Sequence, residues 1–149
     1  MTEIGKKQTL AVRLIVLSRL ISRQSSRFLN NKFNLSMAEW LVLGHLDTLR
    51  PLRLHELADI THADKAQLSR ASGTLIQRGL VRKEFDLKDG RSVFFWLTEK
   101  GHEIKDLANK SAFEFDQRLT RELTEGEHEL LSATIDKLTQ DFEMNIEAV

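Results

Sequence analysis

The side chains best placed for specific chemistry lie in one helix-length stretch, DKAQLSRASGTLIQRG, Asp64 to Gly79. At 100° per residue, Leu68, Ala71 and Leu75 fall within about 40° of the Asp64 direction and form an apolar face. Ala66, Ser69, Arg70, Gly73 and Gln77 fall opposite, with Lys65 on a flank and no acid after Asp64. A small, polar, basic face of this kind suits the floor of a DNA major groove. Arginine bonds guanine bidentately and glutamine bonds adenine, so Arg70, Gln67 and Gln77 are candidate base readers. Ser69 and Gly73 keep the face small enough for close approach. Lys65 in the first turn is a candidate phosphate ligand, helped by the helix N-terminus. Read alone, the same face describes an ordinary solvated helix, so its neighbours must decide.

The second group follows directly, in VRKEFDLKDGRSVFFWLTEKG, Val81 to Gly101. Val81–Phe85 and Ser92–Leu97 are rich in strand formers, and Asp89-Gly90 between them signals a two-residue hairpin turn. Arg82, Lys83, Lys88 and Arg91 surround that turn, with Lys88 and Arg91 as candidate DNA contacts. Asp86 is expected to hold the Arg91 guanidinium in a fixed pose across the hairpin. The competing reading makes this a surface ion pair of about 0–1 kcal/mol.

Positioning these groups requires a helix-turn-helix with a β-wing. Leu54, Leu57 and Ala58 predict a short helix at about 54–60. Asp64 caps the next helix and Gly79 ends it. Upstream, Leu10, Leu14, Leu17, Ile21 and Phe28 recur at helical spacing and predict a helix over about 8–30, broken by Asn30-Asn31 and Asn34. Its other face carries Arg13, Arg19, Arg23 and Arg27. Ser36 with Glu39 forms a capping-box pattern before MAEWLVLGHLDTL, apolar nearly all round and so expected to be buried; Pro51 closes that region. Thr98 caps a helix carrying Ile104, Leu107, Ser111, Phe115 and Leu119. Thr124 and Glu127 repeat the capping pattern before a last helix with one narrow stripe, Leu131, Ile135, Leu138 and Phe142. The expected fold is mainly α with a small β-wing, a single domain over 1–149. A winged helix-turn-helix spans 36–101, and terminal helices at 8–30 and 102–147 serve dimerisation.

Cysteine is absent, which excludes disulfides, thiolate metal sites and thiol redox sensing. No catalytic constellation assembles. His55-Glu56-Leu57-Ala58-Asp59 starts like a zinc-protease motif but ends in aspartate, and His45, His55 and His62 are scattered over three elements. Neither metal nor cofactor is expected, and the chain is not read as an enzyme. No apolar run reaches the roughly 18 residues of a membrane helix, and no secretory leader is evident, so a cytoplasmic location is expected.

The net charge is zero, but its distribution is uneven. Residues 1–35 hold seven bases and one acid, residues 64–98 seven and four, residues 99–149 six and thirteen. Phosphate responds to the local field, so the neutral total does not argue against DNA. The basic first helix and acidic last helices carry stripes that a small winged-helix lobe cannot cover. Pairing the terminal helices of two chains, through Leu10, Leu14 and Leu17 and through Leu131, Ile135, Leu138 and Phe142, would bury them. The alternative is that they fold back within a monomer.

Several residues together resemble the MarR family of winged-helix regulators. They are Glu56-Leu57-Ala58, Asp64–Arg70, Gly79-Leu80-Val81, Asp86 with Asp89-Gly90-Arg91, and Leu97–Gly101. The resemblance covers about a third of the chain. It implies a homodimer on a pseudo-palindromic operator in double-stranded DNA, acting as a repressor and released by a small-molecule effector. It also implies a ligand crevice between the two lobes, here at Ser18, Arg19 and Arg23 with Trp40, Gly44 and His45. An arginine beside tryptophan suits an aromatic carboxylate or acyl thioester; the competing reading is that each of these residues is merely core or solvated. Two positions depart from the family pattern: Gly90, where arginine is frequent, and Gly73, where a Cβ-bearing residue is usual. A winged-helix module for protein contacts is the alternative function, and the basic wing argues against it.

Overall fold

The computed structural model describes residues 8–145; residues 146–147, assigned above to the last helix, lie outside them. The elements run α1 (Leu10–Phe33), α2 (Met37–His45), β1 (Leu52–Arg53), α3 (Leu54–Thr61), α4 (Lys65–Gln77), β2 (Val81–Phe85), β3 (Val93–Leu97), α5 (Glu99–Thr120) and α6 (Glu125–Asn145). The fold is mostly helical with one small antiparallel sheet, as expected. The chain divides into two compact units at Lys110–Ser111, and α5 runs through the division. Among the described residues no helix is long and apolar enough to cross a membrane.

The first unit holds the core. Leu35, Val42, Leu43, Leu46, Leu57, Leu68, Leu75, Leu80 and Val81 are buried there, joined by Phe95 and Leu97 from β3. Each fully buried leucine contributes about 1.5–3 kcal/mol. α1 does not break at Asn30-Asn31: both are exposed and the helix runs on to Phe33. Asn34 stops it by taking a left-handed conformation, φ 51, the role open to asparagine at a helix end. α2 starts on the Ser36/Glu39 capping box, with reciprocal bonds of 3.1 Å, and ends at His45, well before Pro51. Arg78, just after α4, reaches back to this corner. It donates to the carbonyls of Asn34 (2.7 Å) and Phe33 (3.1 Å) and lies 3.6 Å from the Glu39 carboxylate.

The sheet has three strands, ordered β1-β3-β2. β1 is two residues long, pairing Leu52 with Phe95 and Arg53 with Phe94. The β2–β3 register runs from Val81↔Leu97 to Phe85↔Val93. That register leaves residues 86–92 as the wing loop, so the hairpin does not close in two residues at Asp89-Gly90. Ser92 N–H donates to Asp89 O, placing Gly90 and Arg91 at the corner of a turn, and Gly90 does not take the positive φ of a primed hairpin turn.

α5 starts where a side chain at 101 is forbidden. A Cβ on Gly101 would stand 2.0 Å from the Leu80 carbonyl oxygen. Thr98 fixes this junction, accepting from Gly101 N–H (3.0 Å) and donating to Gly79 O (2.7 Å). Along α5, Gly101, Ala108 and Ser111 are buried, whereas Leu107 and Leu119 of the predicted stripe are exposed. In the second unit α6 starts on the Thr124/Glu127 capping box (2.8 and 3.2 Å) and buries none of its residues.

Candidate nucleic-acid interface

Both ends of α4 are defined by its own sequence. The Asp64 carboxylate accepts from Gln67 N–H at 3.2 Å. At the far end Leu80 N–H donates to Leu75 O (2.9 Å) and Gly79 N–H to Ile76 O (3.0 Å), the bond pair of a Schellman ending. Gly79 takes φ 71 there, which glycine adopts without a Cβ clash. Leu68, Ala71, Ser72 and Leu75 turn inward. Lys65, Ser69, Arg70, Gly73 and Gln77 are exposed, as the spacing predicts, and Gln67, which the spacing sets nearer the apolar face, is exposed too.

A cleft of about 550 Å³ opens between this face and the wing. Lys65, Ser69 and Gly73 line it from α4, and Lys83 and Arg91 line it from the wing, joined by Arg53 and His55. Four of its residues are permanent cations and none is a carboxylate, so it concentrates positive potential where the elements converge. Gln67, Arg70, Gln77 and Lys88 are exposed outside its lining. Among the described residues no group of three or more His, Asp or Glu is placed to hold a metal ion.

Asp86 does not hold Arg91. Its Oδ2 accepts from Arg53 Nη2 at 2.8 Å, and its Oδ1 accepts from Lys88 N–H at 2.9 Å. The cause is β1, which lays Arg53 beside β3 within reach of the wing base. Arg91 is exposed, and only its backbone N–H bonds locally, to Asp89 Oδ1 at 3.2 Å. Arg53 was missed as a cleft residue because β1 has no periodicity to read, and His55, on α3, was weighed only as a metal ligand.

The family model described as "MarR family" matches residues 35–93, the span from α2 to the start of β3. The chain is 27% identical over 109 residues to the uncharacterized HTH-type transcriptional regulator YxaD of Bacillus subtilis (strain 168), covering 73% of this chain and 76% of that one. A crystal structure of MarR superposes with a TM-score of 0.76 at 26% identity, covering 86% of this chain and 96% of that one. These likenesses support a MarR-family transcriptional regulator. The fold matches MarR winged-helix structures, and the proteins of that family are transcriptional regulators rather than enzymes. A MarR-family structure from Listeria monocytogenes, solved with a 26mer DNA, shares the fold with a TM-score of 0.79 at 19% identity, covering 95% of each chain.

In this chain the residues expected to bind a ligand are held separately. Ser18 Oγ donates to Ile15 O (2.8 Å), and Arg19 and Arg23 are exposed on α1. Trp40 packs half-buried against the core, and His45 Nδ1 lies 2.8 Å from Leu41 O. Among the described residues no hydrogen bond or ion pair joins the α1 residues to Trp40, Gly44 or His45. Gly73 and Gly90 have open space where a Cβ would stand, so packing within the chain does not demand glycine at either place.

Proposed function

We propose that this MarR-family regulator binds a pseudo-palindromic operator as a homodimer, represses transcription there, and is released by a small anionic or aromatic molecule. The observation that carries the reading is the carboxylate-free cleft, where Lys65, Ser69 and Gly73 of α4 meet Lys83 and Arg91 of the wing. α4 enters the major groove, with Arg70, Gln67 and Gln77 at base edges. Lys65 and Lys88 neutralise phosphates, and Arg91 reaches the adjacent minor groove, whose narrow form attracts arginine. A protein of the same fold has been solved with a 26mer DNA, which supports DNA as the partner.

Dimerisation falls to the terminal helices. Leu10, Leu14 and Leu17 on α1, with Leu131, Ile135, Leu138 and Phe142 on α6, are 38–72% exposed in the single chain. Stripes of that length are a liability unless covered, and a two-fold pair would set two α4 helices one DNA turn apart, roughly 34–36 Å. The effector would engage Ser18, Arg19 and Arg23 with Trp40, Gly44 and His45, where cations and an aromatic ring suit an aromatic carboxylate.

The test is selection of a duplex from a random-sequence library, followed by affinity measurement at two salt concentrations. The expected outcome is an enriched two-fold site, bound at least a thousandfold more tightly than random DNA. Failure to enrich any sequence sinks the reading. Aromatic carboxylates are then titrated into the complex; release of DNA by none of them removes the effector clause alone.

A further inference from the structure

The wing loop, residues 86–92, is bonded mostly to itself. Asp86 N–H donates to Ser92 O at 2.9 Å, closing the base of the loop. Lys88 N–H and Arg91 N–H are taken up by Asp86 and Asp89 within it. Among the described residues one side-chain hydrogen bond ties this loop to the rest of the chain, from Arg53 Nη2 to Asp86 Oδ2 at 2.8 Å.

Arg53 is itself fixed from several sides. Its backbone pairs with Phe94 across β1–β3. Its N–H donates to Glu56 Oε2 at 2.7 Å, at the start of α3. Its guanidinium lies 4.6 Å from the Phe94 ring centre. The two side chains of the ion pair are 34% and 14% exposed, so solvent screens the pair only in part. A planar fork can stack on a ring and bond a carboxylate together; a lysine ammonium cannot.

We propose that Arg53 is a positioning residue for DNA recognition: through Asp86 it fixes the wing relative to α4, so that Arg91 and Arg70 engage one duplex together. The inference rests on the DNA-binding reading above. A loop held in place before binding loses less conformational entropy at the groove. The same bond transmits any shift at the start of α3 to the wing. The rival role for Arg53, which also lines the cleft, is a direct phosphate contact made by its charge alone.

The probe is the duplex that the wild-type protein enriches from a random library. If nothing is enriched, the DNA-binding reading fails; if a site is enriched, the variants judge Arg53. Arg53→Met and Asp86→Asn should each weaken binding to that site about tenfold, and the double variant little more, as for two members of one contact. Arg53→Lys should be nearly as weak as Arg53→Met, although it keeps the charge. Arg91→Ala should cost at least tenfold in the wild-type background and threefold or less in the Arg53→Met background, because a displaced wing no longer delivers Arg91. Affinity retained by Arg53→Lys, or full additivity of Arg53→Met with Arg91→Ala, overturns the proposal. Should Arg53→Met fail to fold, Arg53→Lys and Asp86→Asn carry the same comparison alone.

Discussion

α4 and α6 are both amphipathic helices with a side-chain cap at the N-terminus, yet they solve opposite problems. α4 satisfies its apolar face inside its own chain: Leu68 and Leu75 are fully buried. Its polar face is left bare, small and cationic. α6 buries nothing, and its apolar stripe faces outward. One helix has completed its packing and offers polar groups to a partner of a different chemistry. The other leaves its apolar groups uncovered, and in the proposed dimer it offers them to a second copy of the chain. Which face of a helix is left over, rather than how amphipathic the helix is, tells what it will meet.

The largest expected effect removes that leftover face. Leu131→Asp with Leu138→Asp should give monomers by sedimentation and should weaken operator binding by two orders of magnitude or more, because each half-site then binds alone. Full operator affinity in a monomeric variant would break the contrast between the two helices. Next comes the outer face of α4. Arg70→Ala should cost about 1–3 kcal/mol on the selected site and relax sequence preference, whereas Lys65→Ala should weaken all duplexes alike and flatten the salt dependence. Indistinguishable profiles for the two variants would remove the division between base readers and phosphate ligands.

Gly73→Ala sharpens the comparison with effects of opposite sign. Open space surrounds the position, and alanine is the better helix former by about 1 kcal/mol, so thermal stability should rise. DNA affinity should fall if the bare backbone is there to approach the groove floor; a rise in both would make Gly73 an accident of sequence.

The smallest effect is titration of Asp47. Its carboxyl is held below the ordinary aspartate range chiefly by the Leu49 N–H, which donates to Oδ1 at 2.9 Å. A depressed pKa stabilises the folded state above the unfolded value, and the contribution is lost as pH falls through the folded value. Asp47→Asn should therefore flatten the acid limb of stability slightly, through a small loss at neutral pH that disappears at low pH. Trp40 and Trp96 both lie in the first unit, so tryptophan fluorescence reads this loss there.

What the sequence made legible is local. Asp64 and Gly79 delimit α4, Ser36 and Thr124 cap their helices, and the strand formers place β2 nearly to the residue, because each signal acts over a few positions. What it hid is non-local. β1 is two residues after a proline, too short for any period, and it exists only because β3 offers an edge. The partner of Asp86 is a residue 33 positions away, so proximity along the chain favoured Arg91 wrongly. Asp89-Gly90 suggested a two-residue turn, but strand register, set by Val81↔Leu97 and Phe85↔Val93, decided the loop length instead. Leu107 illustrates the same limit: its spacing fits a buried stripe, while Gly101, Ala108 and Ser111 take the buried positions. Of the candidate interface, the side chains of α4 and Arg91 were readable; Arg53, His55 and the convergence of the cations required the sheet.

Arg78 carries a consequence for how the molecule opens. Its guanidinium takes up the last carbonyls of α1 and lies beside the carboxylate that caps α2. Three helix termini thus share one side chain, and none can fray without exposing groups belonging to the others. In hydrogen exchange, the amides of Asn34, Leu35 and Leu80 should open as a single cooperative unit, with one free energy and one denaturant dependence. Replacing Arg78 with methionine should split that unit into separate, faster-exchanging ends.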